Sequence, residues 1–122
     1  MNFSATYKGG GIRRLIETAK WLDKSQGGIF IVNTNSYQFI KEFTVNNKFI
    51  LIDISKLNRL FKDGLYLHNI IKDIGIPDVY YSYGIPIKYQ VGKINWFHIT
   101  NALSLNTYKI DIPILLRLKM KL

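Results

Sequence analysis

The chain has 122 residues, a formal net charge of +9 from 17 Lys and Arg against 8 Asp and Glu, and 48% hydrophobic residues. This composition is too apolar for an intrinsically disordered chain, and the length suits a single domain over residues 1–122. Because the chain has no cysteine, disulfides, thiolate metal sites and cysteine nucleophiles are excluded. Neither a signal peptide nor a transmembrane helix is evident, so we expect a cytoplasmic protein.

The net charge of +9 favours anionic partners, which include nucleic acid, phosphorylated ligands and anionic lipid. A solvated basic surface without a partner is the alternative. Positive charge is concentrated at Arg117, Lys119 and Lys121, where it alternates with leucine and methionine. This basic, apolar end fits either a helix in a membrane interface or a core helix.

The first half of the chain alternates apolar runs with helical patterns. We predict a strand at residues 2–7, a helix at 12–24 and a strand at 29–32. A short helix capped by Asn35 or Ser36 and ending near Phe43 follows, and then a strand at 49–54. The glycines at 9–11 interrupt regular structure before the first helix. The core side of that helix is predicted from its spacing of three and four residues: Ile12, Leu15, Ile16, Ala19 and Leu22.

The second half begins with a long predicted helix that is capped by Ser55 and ends near Ile74. Strands at residues 79–83 and 94–100 and a helix at 110–122 follow. The order β-α-β-α-β-α-β-β-α predicts a Rossmann-like, three-layer α/β domain with a mostly parallel sheet of about five strands. The core side of the long helix is predicted to comprise Leu57, Leu60, Phe61, Leu67, Ile71 and Ile74.

The loop Gly9-Gly10-Gly11 lies between a predicted strand and a predicted helix, where such folds bind ligands. Glycine lets the backbone approach a phosphate or sugar, and a helix N-terminus offers free N–H groups. Arg13 and Arg14 follow in the first turn, where an anion would offset their unfavourable position on the helix dipole. The loop matches neither the Walker motif nor the dinucleotide fingerprint, and a flexible tight turn is the alternative.

His98 is the second candidate, because it ends a predicted strand and therefore faces the same crevice as the glycine loop. Thr100 and Asn101 supply polar groups next to it. A histidine that only completes the packing at a strand end is the alternative. The loop after the tyrosines of residues 80–83 fits either carbohydrate stacking or packing.

Other polar residues form no recognisable catalytic set. Two distant histidines without paired acids predict no metal site, and we expect His68 on the surface of the long helix. Asp53 and Asp78 flank strands as caps or turn residues, so no pair of glycosidase carboxylates is predicted. No Ser-His-Asp arrangement is visible.

Several segments in order resemble the N-terminal domain of family 4-type glycosyltransferases with the GT-B fold. They are Asn2-Phe3-Ser4-Ala5, Lys8-Gly9-Gly10-Gly11-Ile12, the segment from Pro77 to Gly84, Trp96-Phe97-His98, Asn101-Ala102-Leu103-Ser104-Leu105 and the basic C-terminal segment. The resemblance runs through essentially the whole chain.

The resemblance implies an enzyme that transfers sugar from a nucleotide-sugar to a glycan or lipid-linked acceptor without a metal or other cofactor. By motif position, Gly9, Gly10 and Gly11 match the loop that approaches donor and acceptor, with Arg13 beside it. His98 matches the histidine that contacts the transferred sugar, and Asn101 lies just beyond it. The family's donor-binding half is missing from these residues, so we expect a truncated, acceptor-side half with no turnover alone.

The resemblance thus favours cell-envelope polysaccharide or lipopolysaccharide synthesis, with peripheral binding to the inner face of the cell membrane. The missing Rossmann domain would act in cis or in trans, which includes a split transferase of two subunits. The alternative is a small, non-enzymatic basic module that binds nucleotide or nucleic acid. Nucleic acid is the less favoured partner, because no known nucleic-acid-binding motif is present.

Overall fold

The computed structural model describes residues 1–99, without the side chains of residues 56 and 60–63. The polar groups predicted at Thr100 and Asn101 and the helix predicted at residues 110–122 lie outside the described residues. The described elements in chain order are α1 (Gly10–Asp23), β1 (Ile29–Val32), α2 (Thr34–Tyr37), β2 (Lys48–Leu51), α3 (Lys56–Ile74), β3 (Val79–Tyr83) and β4 (Ile94–His98).

The protein is a mixed α/β structure whose strands form two parallel pairs. In the first pair, β1 and β2 run from Ile29 opposite Lys48 to Val32 opposite Leu51. In the second pair, β3 and β4 are in register from Val79–Ile94 to Tyr83–His98. Parallel strands need a crossover connection, and α3 provides the one that links the two pairs along the chain.

Residues 1–3 lie between the two pairs and bond to both. Asn2 forms isolated bridges with Ile31 of β1 and Ser82 of β3, both parallel. The strand predicted at residues 2–7 is therefore reduced to these bridges. The backbone bonds run from Asn2 N to Tyr81 O (2.7 Å), from Tyr83 N to Asn2 O (3.0 Å), from Phe3 N to Ile31 O (2.9 Å) and from Ile31 N to Met1 O (2.8 Å).

A local turn ends the extended conformation after Phe3. The Oδ1 atom of Asn2 accepts hydrogen bonds from both Ser4 N (3.1 Å) and Ser4 Oγ (2.7 Å). The backbone N–H of Thr6 then donates to Phe3 O at 2.9 Å. Asparagine side chains often compete with strand pairing in this way, which explains why the strand is shorter than its sequence pattern predicts.

The predicted buried face of α1 is confirmed, but its predicted first residue is wrong. Ile12, Leu15, Ala19 and Leu22 are buried, as their spacing indicates. The helix begins at Gly10, however, so two glycines of the loop are helical. Tertiary packing supplies this first turn against the weak helix propensity of glycine.

The cap of α3 is predicted correctly, but its core face is predicted only in part. Ser55 Oγ accepts from Asn58 N at 3.2 Å, and the helix ends at Gly75. Leu67 and Ile70 are buried, whereas Leu57 and Ile74 are largely exposed. Among the described side chains of α3, the buried positions thus lie in its second half and exclude its two ends.

The short helix α2 is capped by Asn33, two or three residues before the predicted caps Asn35 and Ser36. Asn33 Oδ1 accepts from Ser36 N at 2.8 Å. The helix extends only to Tyr37, in place of a predicted end near Phe43.

Two apolar clusters lie on opposite sides of the strands, because successive strand side chains point to opposite faces. Tyr81 and Tyr83 pack against the cluster under α1, while Tyr80 belongs to the cluster under α3. The first cluster comprises Phe3, Leu15, Ala19, Leu22, Phe30, Val32 and Ile40. The second comprises Ile31, Leu67, Ile70, Tyr80 and Val91.

Candidate functional site

The glycine loop opens onto free space at the start of α1. Gly9 precedes the helix with a φ of 69°, and no side chain caps the helix there. A Cβ at Gly9 or Gly10 would meet no atom of the described residues within 4 Å. The first N–H groups of a helix have no intrahelical carbonyl partner, so this end can bind an anion.

Gly11 is tightly packed, unlike its two neighbours. A Cβ at this position would lie 2.9 Å from Thr6 Cγ2 and 3.1 Å from Tyr83 Cε1. The hydroxyl of Thr6, a residue only 5% exposed, has no hydrogen-bond partner among the described residues.

His98 lies beside this helix start because Tyr83 connects the two. It is the last residue of β4 and is half-buried. Its ring stacks on Tyr83 with centroids 4.8 Å apart and an interplanar angle of 21°. Tyr83 in turn stacks on Phe3 at 5.1 Å. The structure thus brings both Gly11 and His98 next to the ring of Tyr83.

The two arginines of the first turn of α1 lie in different places. Arg13 Nε bonds to Glu17 Oε1 at 3.2 Å in an exposed ion pair along the helix. Arg14 lies near Tyr81 of β3. Burial raises the pKa of the Tyr81 hydroxyl above 10.0, and the positive charge of Arg14 opposes that increase. Arg14 is therefore the arginine that faces the strands.

A groove with a volume of about 430 Å³ runs between α1 and the β3–β4 pair. Sequence reasoning missed its two tryptophans, although Trp21 interrupts the polar side of α1 and Trp96 precedes His98 by two residues, on the same face of β4. We call this feature the tryptophan groove; its lining comprises Met1, Arg14, Glu17, Thr18, Trp21, Tyr81, Trp96 and His98.

Sequence reasoning also missed a polar network that holds the chain ahead of the glycine loop. Asn33 Nδ2 donates to the carbonyl oxygens of Ser4 (3.1 Å) and Thr6 (2.7 Å). The guanidinium of Arg59 on α3 donates to Ser4 Oγ and Ser4 O, both at 3.1 Å. Since these contacts span distant parts of the chain, no local motif signals them.

Of the three tyrosines before the loop at Gly84, one packs in the core and two lie at the candidate site. Tyr80 is buried, and its hydroxyl accepts from Asn2 Nδ2 at 2.8 Å. Ser82 Oγ donates to Ile85 O at 2.6 Å and stabilises the turn. Of these side chains, Tyr81 and Tyr83 face the tryptophan groove or the glycine loop.

Asp53 and Asp78 each bond to a residue that is distant in the chain. Asp53 accepts from Thr34 N at 3.0 Å and from Thr34 Oγ1, and these hydrogen bonds lower its pKa. A hydrogen bond from Lys93 Nζ at 2.7 Å likewise lowers the pKa of Asp78. His68 is exposed.

Within residues 1–99, no three His, Cys, Asp or Glu side chains group in a way that could hold a metal ion. In the same part of the chain, no helix is long and apolar enough to cross a membrane. The chain matches no family model, no curated protein and no solved structure.

Proposed function

We propose that the two strand pairs and residues 1–3 belong to one Rossmann-like parallel sheet, in the order β2, β1, residues 1–3, β3, β4. The hydrogen bonds of residues 1–3 to both β1 and β3 support this order. The clusters under α1 and α3 are also arranged as the two faces of such a sheet would require. The glycine loop would then lie at the carboxyl end of the central strand.

We further propose that the protein is the acceptor-side half of a nucleotide-sugar-dependent glycosyltransferase. The observation that carries the proposal is the open start of α1 at Gly9 and Gly10 beside the Tyr83–His98 stack. A donor-binding Rossmann domain in cis or in trans would complete the enzyme. The proposed pathway is synthesis of cell-envelope polysaccharide or lipopolysaccharide.

The chemistry proposed for this site is electrostatic. When sugar is transferred, the oxygen of an acceptor hydroxyl bonds to the anomeric carbon as the bond between that carbon and the donor phosphate oxygen breaks. Negative charge develops on the departing phosphate, which takes up the proton of the acceptor hydroxyl. The N–H groups at the start of α1 and the cation of Arg14 would stabilise that charge. The imidazole of His98 would contact the sugar. No step requires a metal.

Anion binding at the start of α1 is the first test, with inorganic pyrophosphate and UDP-glucose as calorimetric probes. The Gly10→Asp variant places a carboxylate at the open position, where it favours the helix dipole but repels phosphate. We expect it to fold normally and to weaken binding about tenfold or more, since two like charges within hydrogen-bond distance repel strongly.

The matched control is Gln26→Asp, which adds the same charge near the other end of α1 and should leave binding unchanged. If Gly10→Asp binds pyrophosphate and UDP-glucose as tightly as the unaltered chain does, the start of α1 is not the anion-binding site. Sugar transfer by the purified 122-residue chain would contradict the expectation that this half has no transferase activity without a second domain. Salt-sensitive binding of RNA or DNA, without binding of nucleotide-sugar, would favour the nucleic-acid module instead.

Peripheral membrane association is proposed on the net charge of +9 and the exposed aromatic residues. Liposome flotation tests it with vesicles of neutral lipid and of mixed anionic lipid. We expect binding to the anionic vesicles that decreases as salt is added. If equal amounts of protein float with the neutral and the anionic vesicles, the proposed association with anionic membranes is wrong.

A further inference from the structure

The tryptophan groove is a second candidate site, since it follows the side of α1 rather than its N-terminus. Its volume of about 430 Å³ is within the range of small-molecule sites, roughly 300–1,000 Å³. It extends from Met1 to Arg14 and His98. It shares Arg14 and His98 with the residues proposed to act at the glycine loop.

Aromatic side chains form the walls of the groove. Trp21 of α1 is 66% exposed and Trp96 of β4 is 65% exposed. These are the only two tryptophans of the chain. Tyr81 supports Trp96 edge-on at a centroid distance of 6.4 Å and lies 6.3 Å from the His98 ring. Large aromatic side chains exposed in a concave surface are typical of binding sites.

The groove is lined by one positive and one negative side chain, so these two charges offset each other. Arg14 supplies a cation, and Glu17 supplies a carboxylate that also accepts from Arg13. Thr18 Oγ1 donates to Arg14 O at 2.8 Å, so its lone pairs can still accept. A polyanion would meet the Glu17 carboxylate, whereas hydroxyl groups can bond to all of these side chains.

We propose that the tryptophan groove binds a neutral saccharide. The C–H face of a pyranose ring would stack on the exposed indoles, while its hydroxyls would bond to Arg14, Glu17 and Thr18. Because the groove lies along α1, it would hold a saccharide beside the glycine loop rather than in it. The proposal does not depend on transferase activity, since it concerns binding alone.

Tryptophan fluorescence reports directly on this groove, because both tryptophans line it. The full chain is titrated separately with neutral oligosaccharides of glucose, mannose, galactose and N-acetylglucosamine, and with single-stranded DNA. We expect at least one oligosaccharide to give a saturable change in emission and to protect the tryptophans from acrylamide quenching. No donor nucleotide is present, so the result is independent of the glycosyltransferase proposal.

Trp96→Ala is the diagnostic variant, with affinity measured by calorimetry. We expect about tenfold weaker binding, as for other exposed aromatic anchors, and a smaller loss for Trp96→Phe, which keeps a stacking ring. Phe39→Ala is the matched control, because Phe39 is an exposed aromatic residue outside the groove. It should bind as the unaltered chain does. Circular dichroism checks that each variant is folded.

Several results would overturn the proposal. One is the absence of any response to all four classes of oligosaccharide. Another is unchanged binding by Trp96→Ala. A third is tryptophan emission that acrylamide does not quench in the free chain, since another part of the chain would then cover the groove. Binding of single-stranded DNA that Trp96→Ala removes, without saccharide binding, would assign the groove to nucleic acid.

Discussion

Gly10 and Gly11 are neighbours in the first turn of α1 that differ in their tolerance of a side chain. Gly10 faces open space, whereas a Cβ at Gly11 would collide with Thr6 and Tyr83. Thr6 is buried, and its short side chain has little freedom to move away. The close approach of α1 to β3 at the candidate site therefore depends on one missing methyl group.

We expect opposite effects from alanine at these two positions. Gly11→Ala should lower the free energy of unfolding by about 1–3 kcal/mol, the typical cost of overpacking. Gly10→Ala should raise it by about 0.5–1 kcal/mol, because alanine has the higher helix propensity. Urea unfolding measures both. A stabilising Gly11→Ala would contradict the packing between α1 and Tyr83.

At the scale of elements, Asn33 connects three parts of the fold. It follows β1, caps α2, and donates to the carbonyl oxygens of Ser4 and Thr6. The side chain is fully buried. It therefore holds the chain ahead of the glycine loop at the end of β1, which positions the start of α1.

Asn33→Ala should lower the free energy of unfolding by about 2–4 kcal/mol, because it removes a cap and leaves buried groups without their bonds. Asn35→Ala is the control, since Asn35 is exposed and makes a single bond from its amide to Tyr7 O at 3.1 Å. Its effect should be within about 0.5 kcal/mol. Chemical denaturation measures the free energy of unfolding of both variants. If both lose the same amount, Asn33 does not have the proposed role of holding Ser4 and Thr6 in place.

At the scale of the whole molecule, stability should depend on pH through the α-amine of Met1. The residue is partly exposed, but its amine is buried and donates to Ile29 O at 2.9 Å. Burial lowers the pKa of this amine from 8.0 to about 6. Between pH 8 and pH 6 the unfolded chain therefore binds a proton that the folded chain does not.

We expect stability to rise from pH 6 to pH 8, by at most about 2–3 kcal/mol from this group. Asp53 and Asp78 titrate below 3.8, outside this window. NMR titration of labelled methionine measures the pKa directly, since the chain has only two methionines. An amine that titrates near 8 would contradict its burial.

Local patterns predict most of the fold. The buried face of α1 follows from its spacing, the Ser55 cap from residue chemistry, and the positions of β1 and β3 from continuous apolar runs. The first strand is predicted too long because Asn2 bonds to Ser4 and turns the chain. The start of α1 is predicted too late, since glycine propensity is overridden by packing.

Residues of the candidate site can be predicted from the sequence only where they lie at the end of a helix or a strand. The glycine loop and His98 are found because each lies at an element end, and their roles stay predictions. The charge of Arg13 predicts a place at the site, but Arg13 pairs with Glu17 on the exposed side of α1. Asn101 lies outside the described residues.

By itself, the sequence determined the alternation of helices and strands and the ends that capping residues set, because these depend on neighbours a few residues apart. Only the tertiary structure decided that Gly11 contacts Tyr83, that Asn33 holds Ser4 and Thr6, and that Trp21 faces the same groove as Trp96. These contacts join residues far apart in the chain, so their geometry exists only once the helices have packed on the strands.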